Sequence, residues 1–414
     1  MKLFNRILPI ASGYFGVSSA LYPLGGLILT FGPAGGAWHI NIEDEPRWYR
    51  GKTTVVGAGL CEIDVVLGRD QEWIRRITTV VSDLKPSFVA ICGTPISAII
   101  GVDLKSMAKA VESKTGIPVF FVDTKGSESY LKGAEKAFLS LAKTFLKSPR
   151  KKRRKALNVL GALHLDIGKD THLTPIIDAL TKRGWEVLSC WGVENSLLNI
   201  KKSTEASVNL VITASGIKVA NYMYEKFGIP YILGFPVGEE EESSFLKALD
   251  ELCEGKTPCY MQTFKGEEDI DKKVLIVGEP IISCSIRQFF KNLGFNEAKV
   301  VSVIGSIPET AGCVLNLCTE KPDYFFYSEA QLARLLNDPE FDLVIGDPVY
   351  ENLLTSNKAF LPLPHPAISG RLFWNFSYEF IGSSGEHYFT NSLTHFGTHL
   401  YGELILSDFT NLIC

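Results

Sequence analysis

The sequence predicts an α/β protein of three successive units, each a parallel sheet flanked by helices. Short apolar runs rich in Val, Ile and Phe recur along all 414 residues, separated by longer stretches with helical spacing of apolar positions. A weak repeat, GIPVFFV (Gly116 to Val122) and GIPYILG (Gly228 to Gly234), follows an amphipathic stretch each time: Gly stops the helix and Ile-Pro turns into the next strand. The length suits two to four domains at about 150 residues each.

In the first unit, 1–148, strands are expected near LILTF, TTVVGA, SFVAIC and PVFFVD, with helices at Gln71 to Leu84, Ser97 to Thr115 and Glu128 to Leu146. The basic run SPRKKRRK (Ser148 to Lys155) reads as a solvated hinge or as an anion patch. The second unit, 149–268, runs through ALNVLGAL, WEVLSCW, VNLVITA and IPYILGF. Its helix from His172 to Arg183 stops at Gly184, and the acidic run Glu239 to Glu242 opens another helix, where carboxylates favour the positive end of the backbone dipole. The third unit, 269–414, contains KKVLIVG, AKVVSVI, DYFFYS and DLVIGDP. Repeated Rossmann-like units place ligands at the carboxyl ends of their strands, so a cleft shared between the units is the expected functional face.

Composition narrows the function classes. A net charge of −4 gives no electrostatic case for nucleic acid. Nine scattered cysteines do not form a secreted disulfide framework and fit a reducing cytoplasm. Lys2 and Arg6 ahead of an apolar stretch mimic a signal peptide, but the strand–loop–helix pattern continues directly through it. Gly and Pro interrupt residues 7–40, so no membrane-spanning run of about 20 residues is present there. Gly51-Lys52-Thr53 lacks the earlier glycine of a phosphate loop, and VLIVGEP lacks G-x-G-x-x-G, so neither ATP nor NAD is expected on this chain.

Candidate chemistry falls in two regions. Near the N-terminus, the small-residue loop Gly32 to Gly36, with Gly32, Gly35 and Gly36, lets backbone approach a bound group closely, and the acidic pair Glu62 and Asp64 follows. That pair either orients loop backbone and delivers protons, or caps and pairs with Arg47 or Arg50. Trp48 and Tyr49 are interface anchors or ordinary packing. Cys61 and Cys92 are either substitute metal ligands or ordinary thiols, Cys92 in the core and Cys61 half-buried. Near the C-terminus, His395, His399 and Glu403 lie at i, i+4 and i+8 of LTHFGTHLYGELIL, on one face of a helix. Imidazole and carboxylate there bind a first-row metal, shuttle protons, or line a subunit contact.

One set of motifs carries a family resemblance: SGYFGVSSALYPLGG (Ser12 to Gly26), GPAGG, DEPRWY (Asp44 to Tyr49) and LCEIDVVLG (Leu60 to Gly68), then ICGTPISAIIGVDL, TGIPVFFVDTKG, FGIPYILGFPVG, KKVLIVGEPIISCSIR and FDLVIGDP. Their order and spacing resemble nitrogenase component 1 and its relatives, including the dark-operative protochlorophyllide reductase subunits. The resemblance implies a three-domain subunit paired with a related component-1-like subunit. It implies electrons from an ATP-dependent iron protein, a [4Fe-4S] cluster near the subunit contact, and a small-molecule substrate in the interdomain cleft. Family cluster cysteines would fall at Ser18, Gly36 and Pro95, and none is cysteine here. Two readings result: a subunit of an anaerobic, low-potential oxidoreductase whose cluster is held mostly by its partner, with Glu62, Asp64, His395, His399 and Glu403 as proton donors; or a non-catalytic scaffold or carrier for a metal cofactor.

Overall fold

A computed structural model describes residues 5–7, 9–35, 37, 40, 45, 47, 51, 53–125, 128–149, 151–193, 196–258, 270–305, 307, 310–318, 320–326, 328–355, 358–376 and 378–400, with side chains to 393. Among them are three parallel sheets. Strands β1 (Leu27–Thr30), β2 (Thr54–Gly57), β3 (Val89–Cys92) and β4 (Val119–Val122) form the first, in order β2-β1-β3-β4. Strands β5 (Ala156–Leu160), β6 (Glu186–Cys190), β7 (Val208–Val211) and β8 (Tyr231–Leu233) belong to the middle sheet. Strands β9 (Val274–Gly278), β10 (Ala298–Ser302), β12 (Tyr324–Phe325), β13 (Leu343–Gly346) and β14 (Ala359–Pro362) form the third, in order β12-β10-β9-β13-β14. The remaining strand, β11 (Cys313–Asn316), leaves the third lobe and pairs with β8, giving the middle sheet the order β11-β8-β7-β5-β6.

The continuous apolar runs exist because both faces of each sheet are covered. Leu27, Leu29, Val89 and Ile91 meet Trp73, Ile77, Leu104 and Val111 from helices Asp70–Leu84 and Leu104–Thr115. Ile28, Ala90 and Cys92 point the other way, into a core with helices Gly13–Leu21 and Tyr130–Phe145. That core continues through the middle sheet to one face of the third, where Val274, Ile276 and Ile345 join it. The period of two along each strand thus divides the apolar residues between separate cores and one shared core.

Helices Gly13–Leu21 and Tyr130–Phe145 cross almost backbone to backbone. A Cβ at Gly16 would stand 1.8 Å from the Tyr130 carbonyl oxygen, and one at Gly133 only 1.7 Å from that of Gly13. Phe138 then meets Trp191 of the middle lobe edge-on at 5.7 Å, so this pair joins two lobes.

The expected helix from Ser97 to Thr115 is two helices, Pro95–Ile100 and Leu104–Thr115. Gly101 takes φ +70° after the first, and Asp103 caps the second by accepting from the Ser106 amide. The His172 to Arg183 helix is the α-helix Thr174–Lys182 preceded by a 3-10 turn, and Gly184 follows it at φ +81°. The basic run is exposed over 151–154, with Arg153 paired to Glu186 and Glu205 and Lys155 to Asp250. No described helix is long and apolar enough to cross a membrane.

Candidate functional site at the three-lobe junction

The carboxyl ends of β5, β9, β13 and β14 converge, and each is followed within a few residues by a buried titratable side chain. Asp166 follows β5, Glu279 follows β9, Asp347 follows β13 and His365 follows β14; all are at most 5% exposed. Two of these arise in the same way. After β9 and after β13 the chain reads Gly-acid-Pro, as Gly278-Glu279-Pro280 and Gly346-Asp347-Pro348. Proline starts the next helical turn, so the acid becomes its N-cap. Glu279 accepts from the Ile281 and Ile282 amides at 2.8 Å each, and Asp347 from the Val349 amide at 2.9 Å.

These caps also reach between segments. Glu279 accepts from the Ala214 amide of the middle lobe at 2.7 Å. Asp347 accepts from the His365 amide and the Ser369 hydroxyl, both at 2.7 Å, which fixes the turn carrying the imidazole. His365 Nε2 lies 3.2 Å from Asp166 Oδ1 and 3.0 Å from the Tyr130 hydroxyl, which itself donates to Asp166 Oδ1. Tyr130 comes from the first lobe, Asp166 from the middle lobe and His365 from the third. The close crossing at Gly16 and Gly133 is what brings the start of the Tyr130 helix this far in.

Burial sets the electrostatics. Glu279 is pushed up to about 8 by loss of water and then by the Asp166 carboxylate, against the pull of its three amide donors. Burial also raises the Asp347 carboxyl and, with Asp166 and Glu279 adding to it, the Tyr130 phenol. Asp166 Oδ2, His365 Nδ1 and Tyr350 Oη are buried with no hydrogen-bond partner among the described atoms. Such a cluster of acid, imidazole and phenol can store and pass protons.

A second polar seam joins the first and middle lobes. Arg47 holds Glu45 with two nitrogens, Nε to Oε1 at 2.6 Å and Nη2 to Oε2 at 2.9 Å. It also donates to the carbonyls of Gly192 at 2.8 Å and Ser19 at 3.1 Å, and its Nη2 is 3.1 Å from His164 Nδ1. The Ser19 hydroxyl is 2.7 Å from the same imidazole nitrogen. Burial opposes the Glu45 charge, but Arg47, with His164 behind it, holds that carboxyl below its ordinary range.

The residues singled out from sequence lie elsewhere. Gly32 and Cys61 sit on loops at the carboxyl edge of the first sheet, and Pro95 starts a helix there. The Leu60 amide donates to the Gly32 carbonyl at 3.1 Å, and Thr94, which caps the Pro95 helix, donates to the Phe31 carbonyl at 2.8 Å. Gly35 is exposed. Ser18 is buried on helix Gly13–Leu21, its hydroxyl donating back to the Tyr14 carbonyl at 3.0 Å. Cys92 closes β3 in the core, where burial pushes its thiol far up. Cys61 is exposed rather than half-buried, and its thiol donates to Asp64 Oδ2 at 3.0 Å. Asp64 pairs with Arg69 at 3.3 Å, not with Arg47, while Glu62 is exposed. His395 and His399 fall in helix Ser383–Leu400, but their side chains lie outside the described residues, as do Gly36, Trp48, Tyr49, Arg50 and Glu403. That helix is carried by helix Glu239–Cys253, whose first amide donates to Glu386 at 2.9 Å.

A cluster needs thiolate or imidazole donors. Ser18 is committed to a backbone carbonyl, Pro95 offers no side-chain donor and Cys92 keeps its proton. Among the described residues no three His, Cys, Asp or Glu side chains are placed to hold a metal ion together. The residues present therefore do not fit a cluster held by the described part of this chain alone. The sequence reasoning passed over Tyr130, Asp166, Glu279, Asp347 and His365. The repeated Gly-acid-Pro after an apolar strand was the available signal for two of them.

The chain is similar to known proteins in sequence and in fold. The chain is 26% identical over 304 residues to the nitrogenase iron-molybdenum cofactor biosynthesis protein NifE of Clostridium pasteurianum, covering 67% of this chain and 64% of that protein. It is 25% identical over 316 residues to NifE of Methanosarcina barkeri, covering 72% and 64%. The chain thus spans about two thirds of the length of these relatives, a little under that share in each case. The nitrogenase molybdenum-iron protein alpha chain of Methanosarcina barkeri matches over 200 residues at 25% identity, 46% of this chain and 36% of that one. The solved structure "Nitrogenase Cp1 at pH 6.5" superposes with a TM-score of 0.70 over 95% of this chain and 93% of that chain, at 14% identity, a likeness of fold. The family model for nitrogenase component 1 type oxidoreductase matches residues 13–358, and the chain belongs to that family.

Proposed function

We propose that this chain is a scaffold or carrier subunit for assembly or transfer of a metal cofactor, working with a related component-1-like subunit. One observation carries this reading over a reductase subunit with its own cluster: of the positions where family cluster cysteines would fall, Ser18 is a back-bonded serine, Gly36 has no side chain and Pro95 starts a helix. Relatives named for cofactor biosynthesis support it, two of them matching 67% and 72% of the chain. Any [4Fe-4S] cluster belongs chiefly to the partner's thiolates, and an ATP-dependent iron protein supplies electrons. His395, His399 and Glu403 on the tail helix, with Glu62 and Asp64 on the first lobe, are the residues of this chain proposed to face cofactor or partner.

The test is anaerobic purification of the chain alone and co-expressed with a related subunit, followed by metal and sulfide analysis. Metal bound stoichiometrically only in the co-expressed complex, and released to an apo-acceptor without reduction of substrate, is the expected result. Reductant-driven turnover with an iron protein, abolished by His395→Ala, would establish the oxidoreductase reading instead. A stoichiometric cluster on the isolated chain would overturn the division of labour.

A further inference from the structure

We propose that residues 5–12 form a strap that holds the His365 turn of the third lobe against the Tyr130 helix of the first, with the Glu329 carboxylate as its clasp, and that lifting the strap gives access to the buried cluster at the junction. The strap goes beyond the carrier reading and is tested on the metal-free chain, so either idea can fail without the other.

A continuous line of bonds gives the reason. Glu329 opens helix Glu329–Leu336 in the third lobe and is buried. One oxygen of its carboxylate, Oε2, accepts from the amides of Asn5, Arg6 and Ile7 at 2.6, 2.9 and 3.3 Å, so it grips the main chain itself. Ile7 enters the third-lobe core that holds Leu332, Leu336 and Ile368. Ile10 packs against that core and against the shared one. Ala11 then works in both directions: its amide donates to the Ala367 carbonyl, two residues past His365, and its carbonyl accepts from the Tyr130 amide, each at 2.9 Å. Ser12 adds an antiparallel bridge to Ser129. One peptide segment thus spans the two elements whose side chains, Tyr130 and His365, meet at Asp166.

The same segment is built to lift. Of its described residues only Ile7 is buried, so it is held by main-chain bonds and one charged clasp more than by packing. The shared core still joins the lobes when the strap leaves, which makes the opening local. A tyrosine side chain away from the strap, His365 Nδ1 and Asp166 Oδ2 are buried with no hydrogen-bond partner among the described atoms. Lifting lets water or a bound group satisfy both.

The experiment combines native-state amide exchange in low urea with diethyl pyrocarbonate labelling of histidines, both on the full metal-free chain. In the wild type, the amides of Ile7, Ala11 and Tyr130 should open together, at lower urea than the central amides of β3. Glu329→Ala should speed exchange at Ala11 and Tyr130 by at least about tenfold, the worth of one charged hydrogen bond, and should speed His365 labelling with it. His172, 3% exposed in the middle lobe, is the control and should stay protected. Three results would overturn the strap: a wild-type Tyr130 amide that opens only with β3; a Glu329→Ala protein whose strap amides or His365 react within about twofold of wild type; or one whose His172 becomes as reactive as His365. Should Glu329→Ala not fold, the wild-type order of opening still decides it.

Discussion

Arg47→Met tests whether the seam between the first and middle lobes is a stabilising ion pair or a dispensable one. Glu45 is 1% exposed, and the guanidinium holds both of its oxygens. The substitution removes those two bonds and also strips a donor from the carbonyls of Gly192 and Ser19. What remains near the carboxylate is the residue 47 amide at 3.0 Å and His164 at 3.6 Å. Charged hydrogen bonds of about 1.5–3 kcal/mol each would sum to more than the observed cost of such changes, because water partly re-solvates the freed groups. The uncompensated buried charge is the dominant loss, about 3–5 kcal/mol. Urea unfolding followed by both fluorescence and circular dichroism reads it, coincidence of the two showing that one transition is measured. Glu45→Leu combined with Arg47→Met should recover about 2–3 kcal/mol relative to the sum of the single changes.

Acid supplies a second arm. The Glu45 carboxyl is depressed in the folded chain, so its contribution is present above the ordinary carboxylate range and is lost as pH falls through its folded value. Without Arg47 the same carboxyl is buried with little support and takes up a proton more readily. The stability gap between wild type and Arg47→Met should therefore narrow as pH falls from about 7 toward about 4. An Arg47→Met protein within about 1 kcal/mol of wild type, or strict additivity in the double variant, would show the Glu45–Arg47 pair to be dispensable.

Two further outcomes follow from packing and exposure. Gly16→Ala and Gly133→Ala each drive a methyl into backbone, at 1.8 and 1.7 Å, and should lower thermal stability by the upper part of about 1–3 kcal/mol or more; Gly35→Ala, with nothing within 4 Å, should stay within about 0.5 kcal/mol. In the native chain iodoacetamide should label exposed Cys61 and leave buried Cys92 until unfolding, as mass spectrometry would show; equal native labelling would place Cys92 at the surface.

Much of the fold was legible because both-sided burial writes itself into sequence as unbroken apolar runs. LILT, VAIC, VNLV, VLIVG and LVIG are all strands with every residue buried or nearly so. Helix ends were marked where Gly takes positive φ, as at Gly116 and Gly228, and the acidic run opened helix Glu239–Cys253 as its charge requires. Strand β11 was not legible: CVLN alternates in burial and gains its partner, β8, only when the chain returns to a different sheet.

Local pattern also determined that acids would follow apolar strands, since Gly-Glu-Pro and Gly-Asp-Pro are cap sequences wherever they stand. Which lobe those acids would face was decided only by tertiary structure. Asp166 and His365 are 199 residues apart in the chain, and Glu279 and Ala214 are 65 apart. Periodicity speaks of which face of an element is buried, not of what it is buried against. Two glycines that let one helix cross another at backbone contact put Tyr130 between Asp166 and His365, and no spacing rule within a single segment contains that distance.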